Sequence, residues 1–137
     1  MKYFKCLFAI LILLLIFSAG VVNGENKQFI ASIDQDGVQR VEVLAGEYFF
    51  DPNYIVVKVN VPVEIKIKKE PTIVPHSFIT KAPEAGMDIY ESLGSEPKII
   101  RFTPTKVGKY PFYCDKKFLF SKSHREKGME GVIEVIE

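Results

Sequence analysis

Cysteine and histidine are scarce in this 137-residue chain, which holds two of each: Cys6 and Cys114, His76 and His124. Cys6 opens an unbroken apolar run of twelve residues, Cys6 to Phe17, preceded by Lys2 and Lys5 and followed by the small residues around Val22 and Gly24. A membrane span needs about 20 apolar residues, so the run is short for one and reads as a secretory leader, Met1 to Gly24, that serves as an anchor only if uncleaved. Cleavage after Gly24 leaves 113 residues, with 16 basic against 17 acidic side chains and a net charge of −1. Nucleic-acid binding calls for a strong basic excess, which is lacking. An exported domain with Cys114 as its lone thiol also lacks the even count of a disulfide framework. That leaves intermolecular pairing, reactivity or metal binding, or a buried thiol acting as a small hydrophobe. Long helical stripes, internal repeats and low-complexity tracts are missing too. So are paired carboxylates, a Ser-His-Asp order and a phosphate-cradling glycine loop, which removes the common hydrolytic and phosphoryl-transfer chemistries.

What is present alternates with a period of two. Val41 and Val43 alternate with Arg40 and Glu42; Ile55, Val57 and Val59 alternate around Val56 and Lys58, and Val63, Ile65 and Ile67 interleave cleanly with Glu64, Lys66 and Lys68. The last of these gives one core face and one wet face. Asp36-Gly37, Pro52, Pro62, Pro71, Pro75 and Pro104 punctuate them. Further strands are expected at Phe29–Ile33, Tyr48–Phe50, Ser77–Ile79, Lys98–Phe102, Tyr110–Cys114 and Gly131–Ile136, and residues 82–97 read as irregular. The pattern predicts an all-β domain over residues 25–137, a Greek-key β-sandwich or barrel of about seven or eight strands. Short helical turns have room at 115–128 and at 82–97.

The stretch YPFYCDKKFLFSKSHREKGMEGVIEV, Tyr110 to Val135, places a thiol, an imidazole and a thioether within sixteen positions: Cys114, His124 and Met129. His76, in VPHSF, is a fourth candidate. Each has an ordinary reading by itself. His76 follows a proline in a loop, His124 stands among charged residues, and Met129 fills a core position as well as Met87 would. Together they comprise both histidines and the one cysteine outside the leader. Two imidazoles, a thiolate and a weak thioether suit a copper electron-transfer site, whereas Ca²⁺ or Mg²⁺ asks for a carboxylate cage. Zinc can use the cysteine and both histidines but gains little from a methionine.

At these residues the chain resembles the cupredoxins, the blue-copper family. The resemblance runs from about Glu42 to Ile136 through YFFDPNYIVVKVNVPVEIKI, the HSF around His76, the GKYPFYC approach to Cys114 and HREKGMEGVIEV. It implies one copper ion cycling between Cu(II) and Cu(I), with His76, Cys114 and His124 as equatorial ligands and Met129 as the axial one. Nine residues separate Cys114 from His124, a longer connection than in the familiar small carriers, which leaves blue, green and red copper geometries open. A second cysteine is missing from that connection, which argues against a dinuclear purple centre. Ser77 and Asp115 stand where the family often has Asn after the first histidine and Ser or Thr after the cysteine. Asp115 is expected to accept from the Ser77 hydroxyl or backbone, bracing the two ligand loops.

The connection itself is basic, with Lys116, Lys117, Lys122, Arg125 and Lys127 against Asp115 and Glu126, and Phe118, Leu119 and Phe120 interrupt the charge. It reads either as a solvated loop whose aromatics tuck back against the barrel or as a docking surface built on Lys116, Lys117, Phe118, Phe120 and Lys122. The expected function is a periplasmic or otherwise extracytoplasmic electron carrier, not an enzyme. Its partners would be redox proteins such as a cytochrome or a copper or haem oxidoreductase. A copper storage or delivery protein, and a catalytic red-copper protein with an open coordination position, are the alternatives.

Overall fold

In the strands that pair as parallel neighbours of the smaller sheet, Gln39–Gly46 and Val63–Lys69, apolar-polar alternation sets which face turns inward. The computed structural model describes residues 27–137, so the expected leader, Met1 to Gly24, lies outside the described residues. Ten strands follow in order: β1 (Gln28–Ile30), β2 (Gln39–Gly46), β3 (Phe49–Asp51), β4 (Tyr54–Lys58), β5 (Val63–Lys69), β6 (His76–Ala82), β7 (Met87–Leu93), β8 (Lys98–Phe102), β9 (Gly108–Tyr113) and β10 (Glu130–Ile136). They form a six-stranded sheet, β1-β4-β10-β9-β6-β7, facing a four-stranded sheet, β3-β2-β5-β8. Single 3-10 turns at Pro83–Ala85 and Arg125–Lys127 fall in the two segments where helical turns were expected.

Ten strands exceed the seven or eight expected, and β7 is the main correction. Residues 82–97 are not irregular: β7 pairs along its whole length with β6, from Ala82 with Met87 to His76 with Leu93. Met87, Ile89 and Leu93 alternate and are buried, but Glu91 takes the inward position between the last two, and Gly86 and Gly94 bracket the strand. The broken alternation hid a strand that only its partner makes visible.

The inner faces meet in one apolar core. Val41, Val43 and Ala45 of β2 and Val63, Ile65 and Ile67 of β5 supply the four-stranded side; Ile55, Phe78, Phe112 and Ile133 supply the other. Phe78 stacks on Phe112 with ring centroids 4.9 Å apart, and Phe50 from the opposite sheet stands edge-on to both, at 5.8 and 5.2 Å. Aromatic pairs at such spacing gain about 0.5–1.5 kcal/mol beyond the area they bury. A β-strand's period of two puts residue 78 on the face of residue 76, and residue 112 on the face of residue 114. The aromatic trio is therefore the floor on which His76 and Cys114 stand. Gly131 makes room for it, since a Cβ there would lie 2.4 Å from Phe112 Cζ and 2.3 Å from the Asn53 carbonyl oxygen.

Candidate metal centre

Register alone brings two of the candidate ligands face to face. Tyr113, the last residue of β9, pairs with Glu130, the first of β10. The next position outward sets Cys114 opposite Met129, and the Cys114 N–H donates to the Met129 carbonyl at 3.1 Å. On the other edge of β9, Tyr113 pairs with Ile79 of β6, which carries Ser77 to Asp115 and places His76, the first residue of β6, beside the thiol. Met87, the rival thioether, pairs with Ala82, six positions along β6 from His76. At about 3.4 Å per residue this is roughly 20 Å away, so Met87 is a core residue and no ligand.

His124 comes from the long connection, and short-range chemistry fixes its backbone. Its N–H donates to the Lys116 carbonyl at 2.8 Å, and its own carbonyl accepts from Met129 at 2.9 Å and from Lys127 at 3.1 Å. Ser123 and Glu126 form a reciprocal cap, with the Ser123 N–H and Oγ each 2.7 Å from Glu126 Oε2 and the Glu126 N–H returning to Ser123 Oγ at 3.3 Å. These bonds to Ser123 hold the Glu126 carboxyl below its ordinary pKa. Gly128, at φ +99°, ends the turn in a left-handed conformation and redirects the chain into β10.

The outcome is a buried trio. His76 Nδ1, Cys114 Sγ and His124 Nδ1 lie within 4.8 Å of one another. The separations are 3.2 Å between the imidazoles, 3.5 Å from Sγ to His124 and 4.0 Å from Sγ to His76. Cys114 and Met129 are fully buried, His76 is 1% exposed and His124 4%. The solvated charged turn expected around His124 thus turns its histidine inward. Burial, then neighbouring His124 and Lys69, push the His76 pKa down to about 4. Burial and Lys127 lower that of His124. Both rings therefore offer a neutral lone pair at neutral pH. Two imidazole nitrogens, a sulfur and a buried thioether with no carboxylate in the cluster are donors that fit copper.

Ser77 lies behind the sulfur. Its backbone N–H points at Cys114 Sγ at 3.3 Å, and its hydroxyl is 3.6 Å from Sγ but 2.7 Å from Asp115 Oδ1. The Asp115 N–H donates back to Ser77 Oγ at 3.1 Å. A hydroxyl has one proton to give, and the shorter, charge-assisted bond to the carboxylate takes it. The sulfur is left with the backbone donor. With Asp115→Ala the hydroxyl is expected to turn to the sulfur. Copper affinity should then fall roughly 10–100-fold, the range for partners that orient metal ligands, and the visible band should shift. An unaltered affinity and spectrum on copper titration would reduce the bridge to packing.

Outside this shell, three cations of the connection lie over aromatic rings of the body. Arg125 is 4.1 Å from the Tyr113 ring centroid, Lys127 is 4.3 Å from that of Tyr48, and Lys116 is 5.7 Å from that of Tyr90. The long loop is pinned at three points. Between the pins its tip faces solvent: Phe118 is 73%, Leu119 71% and Phe120 102% exposed. The aromatics do not tuck back. Beside them a groove of about 390 Å³ is lined by Tyr48, Ile73, Pro75, Lys117, Phe118 and His124, among others. Sequence reading missed Tyr48, which it assigned to a strand, and Ile73, a loop residue fully exposed at the rim. It also missed Lys69, whose ammonium ties down the His76 loop by donating to the Thr72 and Val74 carbonyls. Nothing local to those three residues marks them.

Comparison with known proteins agrees with this geometry. No curated protein matches the chain. Among solved structures, the metal-binding domain of the Streptococcus pneumoniae D39 Cu(I)-exporting P-type ATPase CopA, with Cu(I), is 26% identical; the match covers 83% of this chain and all of that one, with a TM-score of 0.63. A dithionite-reduced auracyanin from Roseiflexus castenholzii is 20% identical over 78% of this chain and 99% of its own, at a TM-score of 0.54. The blue copper protein auracyanin A from Chloroflexus aurantiacus, 19% identical over 73% of this chain and all of its own, has a TM-score of 0.54 and likewise shares the fold. The model of the cupredoxin-like domain matches residues 7–132, nearly the whole length, and the chain belongs to that family.

Proposed function

We propose that this protein is an extracytoplasmic one-electron carrier, not an enzyme, whose single copper is held by His76, Cys114, His124 and Met129. The observation that carries the reading is that three donor atoms already converge within 4.8 Å on side chains no more than 4% exposed. Copper bound there supplies a Cu(II)/Cu(I) couple. The chain's contribution is to keep the ligands still. Strand register fixes Cys114 and Met129, the β6 start fixes His76, and the capped turn fixes His124, so little rearrangement accompanies a change of charge. Burial keeps water from the sulfur, and the Ser77 N–H supports its negative charge.

His124 is the one of the four that lines the groove, Lys117 and Phe118 line it too, and the same loop carries the exposed Leu119, Phe120 and Lys122. An apolar contact ringed by lysines favours brief docking of an acidic redox protein, such as a cytochrome or a copper or haem oxidoreductase. A second reading, copper handling, is favoured by the 26% identity to a domain of a Cu(I)-exporting ATPase.

One set of measurements separates the readings. The copper-loaded domain should show intense visible absorption, a mononuclear Cu(II) EPR signal and a reversible one-electron titration, with little response to azide. Colourless, readily exchanged copper would replace the carrier with a handling protein. Direct azide binding would point to an open, catalytic position.

A further inference from the structure

The β2–β3 connection is a two-residue hairpin turn, Glu47–Tyr48, closed by pairing of Gly46 with Phe49. Turns of this length call for positive φ at central residues, and glycine, asparagine and aspartate take it readily. Here the positive φ, +64°, falls on tyrosine, a bulky side chain for which the left-handed region is strained. Backbone strain of this kind persists where the surrounding structure holds the residue in place.

What that side chain reaches is the solvent-side ligand. The Tyr48 ring stands against the His124 imidazole in a T-shaped contact, centroids 5.0 Å apart and planes at 77°. Lys127 also contacts the tyrosine, its Nζ 4.3 Å from the ring centroid and 3.2 Å from the hydroxyl. Apart from the Nδ1 contacts with His76 at 3.2 Å and Cys114 Sγ at 3.5 Å, the hydrogen bonds to residue 124 are to its backbone and do not set the plane of the ring. Among the described residues, the rings in contact with His124 are His76 and Tyr48. The other ligand trio members are enclosed by strands; His124 alone of them lines the groove, where Tyr48 forms a wall.

We propose that Tyr48 is the positioning residue for the His124 imidazole, fixing its plane before metal arrives and screening it from water, and so controlling how fast copper leaves. The inference rests on the copper reading above. Loss of an ion from a buried site begins with the ligand that can swing toward solvent, and Tyr48 occupies the space into which His124 would swing.

Tyr48→Gly tests this cleanly, because glycine takes φ +64° without strain and keeps the hairpin while removing the ring. Tyr48→Phe keeps the ring and drops the hydroxyl. Two readouts apply. In the metal-free protein, the His124 imidazole resonances should be single and sharp in the wild type and Tyr48→Phe, and broadened or averaged in Tyr48→Gly. In the loaded protein, release of Cu(I) to bathocuproine disulfonate should quicken at least tenfold in Tyr48→Gly and change less than twofold in Tyr48→Phe. Sharp imidazole signals and wild-type release in Tyr48→Gly would overturn the assignment. If Tyr48→Gly melts out, Tyr48→Asn replaces it, since asparagine also tolerates the left-handed turn. A wild type that takes up no copper would defeat the copper reading, and the metal-free resonances would still decide the role of Tyr48.

Discussion

Cys114→Ser is expected to abolish the intense visible absorption of the copper-loaded protein while leaving the metal-free fold standing. The sulfur is the one donor of the cluster that carries a full negative charge when it binds metal, and it lies 3.5 and 4.0 Å from the two imidazole nitrogens. A serine hydroxyl stays protonated near neutrality, so neither the anionic donor nor the charge-transfer transition survives. The backbone pairing of residue 114 with Met129 needs no side chain, and serine is close to cysteine in volume. Metal-free melting temperatures should therefore stay within a few degrees, while the visible band is lost entirely and copper binding weakens. Visible and EPR spectra of the loaded variant, beside a thermal melt of the apo form, make the check. A variant that kept its colour would show that the thiolate is not a ligand.

Acid is expected to destabilise the metal-free protein well before most carboxylates titrate. The folded state holds His76 near a pKa of 4, chiefly because burial penalises the imidazolium, against 6.5 for an ordinary histidine. The unfolded chain takes up a proton as pH falls through 6.5, and the folded one resists until about 4. The stability contributed by the neutral ring is thus complete above pH 6.5 and drains away between 6.5 and 4. At 1.36 kcal/mol per unit it amounts to about 3 kcal/mol, a large share of the 5–15 kcal/mol typical of a domain. His124 shifts in the same direction. Denaturant melts of the apo protein at pH 7 and pH 4.5 should differ by this order, and His76→Gln should flatten the dependence. A copper-loaded sample should hold its stability further into acid, because the ion competes with the proton for the same lone pairs. An apo protein equally stable at both pH values would contradict the burial argument.

The two kinds of information divide along a physical line. Soft donors are rare in this chain, so both histidines and Cys114 stood out by residue type and Met129 by its place after His124, and the alternation in β2 and β5 announced strands because one face of each meets hydrocarbon and the other water. The capped turn of Ser123 to Glu126 is local chemistry too, an S-x-x-E spacing that its own backbone satisfies, although the sequence by itself predicts only room for a helical turn there. β7 was illegible because an inward glutamate interrupts its pattern and only pairing with β6 stabilises it. The part played by Tyr48 was invisible for a different reason. Its contact with His124 spans 76 positions of chain and depends on how far a hairpin of one sheet reaches across the end of the other. Residue types and alternation determined which groups are candidates to hold a metal and that they ride on a β-sandwich. Strand register, burial and the packing of distant loops decided which thioether lies beside the thiol, how neutral the imidazoles are, and what encloses the one at the groove, since those depend on distances that no spacing along the chain encodes.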